Sequence, residues 1–152
     1  MPTVLVVHHT VSPATAAVYE AVRAGLDQPG LEEVSMAHRP ALAAGPADVF
    51  AADGIVLLTP VNIGYLSGAL KHFFDSVYYP CLEETKQLPF AAVLHGTGGA
   101  QGAVRALTAI TTGLQWQQVA EPLIVDGSPD AATTEQIGEL AATVAAHAAG
   151  LL

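Results

Sequence analysis

The sequence predicts an α/β domain built on a doubly wound, five-stranded parallel sheet with helices on both faces. Short apolar runs rich in β-branched residues alternate five times with longer stretches of helical periodicity. The first run, residues 4–7, is apolar at every position, which is typical of a strand covered on both faces. The chain has 152 residues, of which 51% are hydrophobic, and no linker or repeat divides it. We therefore expect residues 1–152 to form one domain.

The N-terminal half of the chain supplies three of the predicted strands. Residues 3–7 form the first strand, and residues 13–26 follow as a helix with an apolar stripe. Residues 32–37 have a weaker strand pattern, and residues 46–52 suit a short helix that begins at a proline. Residues 54–59, Gly-Ile-Val-Leu-Leu-Thr, give the clearest signal of a buried strand.

The C-terminal half adds two strands and three helices. Ser67 is suited to cap a helix that stops at Pro80, because proline interrupts helical hydrogen bonding. Pro122 weakens the last strand and favours an edge position for it. In order, the predicted elements are a helix over residues 67–79, a strand over 90–95, a helix over 102–114, a strand over 119–125 and a helix over 130–147.

The composition argues against several classes of partner. Five basic residues against fourteen acidic ones give a formal net charge of −9, which disfavours nucleic acid and anionic membrane surfaces. The single cysteine, Cys81, allows no intrachain disulfide and suits a buried or interface thiol. The N-terminus has no signal-peptide pattern, so we expect a cytoplasmic protein.

In an open parallel sheet, ligands bind at the carboxyl ends of the strands. The loop after the first strand contains hydroxyl groups and a proline that suits the first turn of a helix. The free N–H groups of such a turn bind anions, so the loop is either a phosphate site without Lys or Arg, or an ordinary helix cap. Its candidate binding residues are Thr10, Ser12, Pro13, Ala14 and Thr15.

The loop after the third strand carries the most specific pattern in the chain. Its candidate binding residues are Pro60, Val61, Asn62, Ile63 and Gly64. The pattern itself consists of Thr59, Pro60, Gly64, Ser67, Gly68, Leu70 and Lys71, and it continues with Phe73, Phe74 and Asp75. The pattern resembles that of FMN reductases and quinone reductases of the flavodoxin-like superfamily, which reads roughly Thr-Pro-x-x-x-Gly-x-x-Ser-(Gly or Ala)-x-Leu-Lys. The resemblance implies that this loop lies against the isoalloxazine ring of FMN.

The loop after the fourth strand is rich in glycine, which lets backbone N–H groups approach a flat ligand. Its candidate residues are His95, Gly96, Thr97, Gly98 and Gly99. The resemblance implies that this loop contacts the pyrimidine side of the flavin, while a flexible loop is the alternative. A dinucleotide fingerprint fits poorly, because Gln101 stands where the third glycine is needed.

Other chemistries fit the sequence less well. His8 and His9 are adjacent and point to opposite sides of an extended segment, so we expect no metal site. A hydrolase elbow would need Gly-x-Ser-x-Gly, which the chain lacks around Ser67. A phosphoacceptor domain would need acidic residues at the ends of the first and third strands, where His8 and Thr59 stand.

The resemblance implies a three-layer, flavodoxin-like fold with strand order 2-1-3-4-5. It implies FMN as cofactor, NAD(P)H as electron donor, and a small acceptor such as a quinone or flavin. It also implies a homo-oligomer, either dimer or tetramer, and no protein residue acting as acid or base. Pro13 and Ala14 depart from the family pattern, which has glycine in the phosphate loop. The alternative is a flavodoxin-type electron carrier. Such carriers usually stack aromatic residues on the flavin from the loops after the third and fourth strands, and here only Tyr65 lies in those loops.

Overall fold

Seven β-strands and five α-helices lie along residues 1–152, all of which are described by the computed structural model. The strands are β1 (Thr3–His8), β2 (Ser35–Pro40), β3 (Gly54–Asn62), β4 (Tyr65–Leu66), β5 (Pro89–His95), β6 (Gln117–Gln118) and β7 (Leu123–Val125). The helices are α1 (Pro13–Leu26), α2 (Pro46–Phe50), α3 (Gly68–Cys81), α4 (Ala100–Leu114) and α5 (Ala131–Ala148).

The main sheet is parallel, and its order is β2-β1-β3-β5, with β6 and β7 both paired to the outer side of β5. Counted as one interrupted strand, β6 and β7 occupy the fifth position, so the predicted order 2-1-3-4-5 is confirmed. The short β4 pairs antiparallel with the end of β3 and was not predicted.

Helices cover both faces of this sheet. Val4 and Val6 point to one face and pack in a core of 17 buried residues with α1 and α5. Leu5 and Val7 point to the other face, in a core of 22 buried residues that includes α3 and α4. Successive residues of β1 are thus buried on opposite sides, which explains its continuous apolar sequence and confirms the three layers. None of the five helices has the length and apolar character needed to cross a membrane.

Two predicted strands are wrong in detail. The second strand is Ser35–Pro40 instead of residues 32–37, because the preceding residues form a turn in which the Glu32 carboxylate accepts a hydrogen bond from the Gly30 N–H at 3.0 Å. The fifth strand is split into β6 and β7. Pro122 lies between the two pieces, and both pair only with β5, so the predicted edge position is confirmed.

Two prolines were wrongly expected to end their elements. β3 continues through Pro60 to Asn62. The last hydrogen bond between β1 and β3 runs from the His9 N–H to the Leu58 carbonyl at 3.0 Å, so β1 has already ended beside Pro60. Backbone groups two residues apart point to the same side, so the missing N–H of Pro60 lies where no partner strand remains. Pro80 lies within the last turn of α3, where it removes only one helical hydrogen bond, and the helix ends at Cys81.

Candidate functional site

The carboxyl ends of β1, β3, β5 and β7 lie side by side at one edge of the sheet. His8 pairs with Leu58, Pro60 pairs with His95, and His95 pairs with Val125. The three loops chosen from the sequence follow three of these ends, so the sheet register brings them together. A groove of about 570 Å³ lies elsewhere, between α1 and β2, and shares no residue with the three loops.

The first loop, residues 9–12, ends in a tight cap on α1. Ser12 Oγ accepts a hydrogen bond from the Thr15 N–H at 3.1 Å. Thr15 Oγ1 accepts hydrogen bonds from the N–H groups of Val11 at 3.0 Å and Ser12 at 2.9 Å. Thr15 is buried, and its hydroxyl is committed to this cap. Within this segment, the N–H groups of Thr10 and Ala14 have no protein partner.

His8 stands at the base of the first loop. Its Nδ1 lies 2.9 Å from Thr10 Oγ1, and its ring packs against Tyr19 of α1 with 4.4 Å between centroids. Burial lowers the pKa of His8, and the nearby imidazoles of His38 and His9 add to the effect. The ring is therefore biased toward its neutral form.

The second loop is a β-hairpin formed by β3 and β4. Asn62 pairs with Tyr65, and the two residues between them both have positive φ, 52° at Ile63 and 69° at Gly64. Positive φ at both positions is typical of a type I′ turn, in which a β-branched residue is strained. The Ile63 side chain is fully exposed at the tip, although it is apolar.

Two buried hydroxyl groups close the base of the hairpin. Thr59 Oγ1 accepts a hydrogen bond from the Ser67 N–H at 3.1 Å and lies 3.0 Å from Ser67 Oγ. Ser67 Oγ in turn accepts a hydrogen bond from the Leu70 N–H at 3.2 Å, so the predicted cap of α3 is confirmed. Thr59 and Ser67 therefore shape the loop, while Lys71 pairs with Asp75 on the helix surface at 2.6 Å.

The hairpin tip rests directly on the start of α4. A methyl group added at Gly99 would overlap Gly64 Cα, and one added at Gly102 would overlap the Gly64 carbonyl oxygen. Gly99 also has a φ of 78°, which favours glycine. Only glycine allows this approach of two backbones, and it joins the second loop to the third.

The third loop, residues 96–99, presents a row of backbone donors. The Gly96 N–H bonds the Val125 carbonyl at 2.8 Å, which fixes the start of the loop. The N–H groups of Thr97, Gly98 and Gly99 have no protein partner, and they precede the N-terminus of α4. Successive free N–H groups at a helix N-terminus stabilise negative charge.

A fourth loop, residues 126–130, also reaches this edge and was missed in the sequence. His95 Nε2 lies 2.8 Å from the Gly127 carbonyl oxygen, so the His95 ring links the third and fourth loops. Asp130 then caps α5 by accepting a hydrogen bond from the Thr133 N–H at 2.8 Å. The signal was an apolar strand followed by Asp-Gly-Ser-Pro and a capping aspartate, a pattern that predicts a loop at the same edge.

Solved structures share this architecture. A WrbA-like flavodoxin from Agrobacterium tumefaciens superposes with a TM-score of 0.77 at 19% identity, covering 99% of both chains. Oxidised flavodoxin 1 from Bacillus cereus gives a TM-score of 0.80 at 15% identity, covering 95% of this chain and 98% of that one. Rubredoxin oxygen:oxidoreductase from Desulfovibrio gigas gives 0.78 at 13% identity, with 97% of this chain matching 36% of that one. At these identities the similarity establishes the flavodoxin-like fold.

The family is established by sequence. None of the curated protein sequences compared with the chain matches it. The sequence model described as NADPH-dependent FMN reductase, however, matches residues 8–130. That stretch contains all three loops predicted to form the site, and it covers more than half of the chain. The chain therefore belongs to the NADPH-dependent FMN reductase family, and FMN is its cofactor.

Proposed function

We propose that this protein is an FMN-dependent oxidoreductase that uses NAD(P)H as electron donor. Bound FMN would supply the redox chemistry, the transfer of a hydride equivalent from NAD(P)H to a small acceptor such as a quinone or a free flavin. The observation that carries the proposal is the convergence of the hairpin and the third loop, locked together at Gly64 and Gly99, beside the first loop. Such a constellation suits a phosphorylated, planar ligand.

The first loop supports binding of the phosphate group. The unpaired N–H groups of Thr10 and Ala14 and the hydroxyl groups of Thr10 and Ser12 are donors of the kind that hold phosphate. Pro13 contributes no donor, because it has no N–H group. Thr15 supports the loop from behind, so its effect on binding is indirect.

The hairpin and the third loop support binding of the ring. We assign the flat contact to the backbone of residues 60–64 and to the apolar side chain of Ile63. The free N–H groups of Thr97, Gly98 and Gly99 would donate to the polar edge of the ring, where negative charge develops on reduction. These residues orient the ring and tune its potential, and no side chain of the chain is required as an acid or base.

The access to the ring favours a reductase over an electron carrier. Tyr65 is the only aromatic residue in the hairpin, 41% exposed, and the third loop contains none. An uncovered ring face leaves room for a nicotinamide and then for the acceptor. We also propose that the protein is cytoplasmic and that residues 1–152 act as one domain, in a dimer or tetramer.

Anaerobic reduction tests the proposed function. Purified protein is loaded with FMN, freed of excess flavin and mixed with NADPH or NADH while the visible flavin absorption is followed. We expect rapid bleaching with at least one nicotinamide, followed by recovery of the colour when a quinone is added.

Bleaching that occurs only after a partner reductase is added would instead indicate an electron carrier, the alternative that the net charge of −9 favours. Free FMN with the same nicotinamide provides the background rate. Failure of the protein to retain FMN would overturn both readings.

A further inference from the structure

The position of His8 is fixed by the strands on both sides of it. The Ala41 N–H donates to the His8 carbonyl at 2.8 Å, and the following residue, His9, donates to Leu58 at 3.0 Å. The side chain of His8 lies on the α1 side of the sheet, against Tyr19, with Nδ1 within hydrogen-bonding distance of Thr10 Oγ1. The backbone and the ring of His8 are thus both fixed in position, and the ring contacts Thr10, the first residue of the proposed phosphate site.

This end of the site has no uncommitted arginine or lysine. Arg39 pairs with Asp48 at 3.2 Å and also donates to the His38 carbonyl. Arg23 lies over the Tyr19 ring, 5.9 Å from its centroid, and 3.8 Å from Glu20. The other titratable groups that face His8 are Tyr19 itself, His38 at 6.5 Å between ring centroids, and the adjacent His9.

The hydrogen bond between His8 and Thr10 has two possible directions, and only one suits an anion. If Nδ1 carries no proton, the Thr10 hydroxyl donates to it and presents only lone pairs to a ligand. If Nδ1 carries a proton, it donates to Thr10 Oγ1, and the Thr10 hydroxyl proton is free to bond a phosphate oxygen. The imidazolium form always carries a proton on Nδ1 and adds a positive charge.

We propose that His8 is a positioning residue for the FMN phosphate: its Nδ1–H turns the Thr10 hydroxyl toward the phosphate, and binding of the phosphate stabilises the protonated ring. The inference rests on the proposed FMN site. It assigns to His8 the cationic role that the first loop otherwise lacks.

Burial and the neighbouring imidazoles hold the pKa of His8 below its usual value in the absence of ligand. A doubly charged phosphate nearby acts in the opposite direction, since an opposite charge favours the charged form of the imidazole and so raises the pKa of His8. Phosphate binding is therefore coupled to proton uptake, and the affinity for FMN falls as pH rises through the raised pKa.

The ratio of FMN affinity to riboflavin affinity tests this coupling, because riboflavin has the same ring and no phosphate. Both affinities are measured by quenching of flavin fluorescence between about pH 6 and about pH 8, where histidines titrate. We expect the wild-type preference for FMN, corrected for the titration of FMN's own phosphate, to fall as the pH rises. The fall should be up to about tenfold for each unit by which the pKa of His8 differs between the FMN-bound and the free protein. His8→Phe, which keeps a ring against Tyr19, should remove this fall, and His38→Asn should keep it.

A second readout needs no variant. The pKa of His8, followed by the NMR signals of its ring, should rise on addition of FMN or inorganic phosphate and stay unchanged with riboflavin. Two results would overturn the inference while leaving the FMN site intact. One is a ratio of FMN to riboflavin affinity that changes equally with pH in wild type and in His8→Phe, and the other is a His8 pKa that does not change when FMN binds. Absence of FMN binding in the wild type would overturn the inference and the proposed function together.

Discussion

Replacing Gly99 with alanine should damage the candidate site by separating the hairpin from the third loop. The new methyl group would overlap Gly64 Cα and lie 3.1 Å from the Gly64 nitrogen. Because all of these atoms belong to backbone, no side chain can rotate away, and the hairpin tip must move. The substitution also places a side chain at a φ of 78°.

Two terms make up the expected loss of stability. A non-glycine residue in the left-handed region costs about 1–2 kcal/mol. Forcing extra volume into a packed contact costs about 1–3 kcal/mol. The free energy of unfolding of Gly99→Ala should therefore fall by about 2–5 kcal/mol, and its affinity for FMN should fall because the ring-binding loops are displaced.

Three further glycines separate the two terms. Gly150 has a φ of 74° and open space around it, so Gly150→Ala should lose only the conformational term of about 1–2 kcal/mol. Gly102→Ala has a helical φ, and its methyl group would overlap the Gly64 oxygen, so it tests the contact alone. Gly68 has open space and no positive φ, and Gly68→Ala should change stability by less than about 0.5 kcal/mol.

Urea unfolding and FMN fluorescence titration of the four variants provide the measurements. A Gly99→Ala protein that is as stable as Gly150→Ala and binds FMN with unchanged affinity would contradict this prediction. The contact between Gly64 and Gly99 would then impose no constraint on the site.

Three other predictions concern the same framework. Thr59→Val removes the hydroxyl that accepts from the Ser67 N–H, and should cost about 1–3 kcal/mol in urea unfolding because a buried donor loses its partner; Thr59→Ser should restore most of the loss. The hydrogen bond from the Thr133 N–H lowers the pKa of Asp130. The Asp130 carboxylate therefore stabilises α5 fully at pH values above its ordinary pKa, and this stabilisation is lost as the pH falls through the lowered pKa. The melting temperatures of wild type and Asp130→Ala should thus differ at neutral pH and converge in acid. FMN at about 100 times its Kd should raise the free energy of unfolding by about 2.7 kcal/mol, and an unchanged melting temperature would argue against binding to the folded state.

The sequence was most informative where one physical rule determines the outcome. The apolar run of β1 predicts a doubly covered strand, and parallel register then places the loops after His8, Pro60 and His95 at one edge. The strand order alone thus predicts which loops share the edge where the candidate site lies. The cap at Ser67 followed from residue type, because short polar side chains satisfy free N–H groups of the first helical turn.

The errors concern features that depend on contacts distant in the sequence. Whether Pro60 ends β3 depends on where β1 stops, and local sequence does not contain that information. The hairpin has Ile63 where type I′ turns favour Asn or Asp, so its turn signal was weak. The contact of Gly64 with Gly99 and Gly102 joins segments separated by thirty-five or more residues, and only the folded chain reveals why those positions are glycine.

The conformation of Ile63 implies that stability and the proposed contact with the flavin ring place opposite demands on the hairpin tip. An isoleucine with a φ of 52° and a fully exposed side chain gains no burial and carries backbone strain. Glycine or asparagine would relieve that strain, so either substitution should make the protein without ligand more stable. The apolar contact proposed between Ile63 and the flavin ring would be lost at the same time, so we expect the variant to be more stable and to bind FMN less tightly.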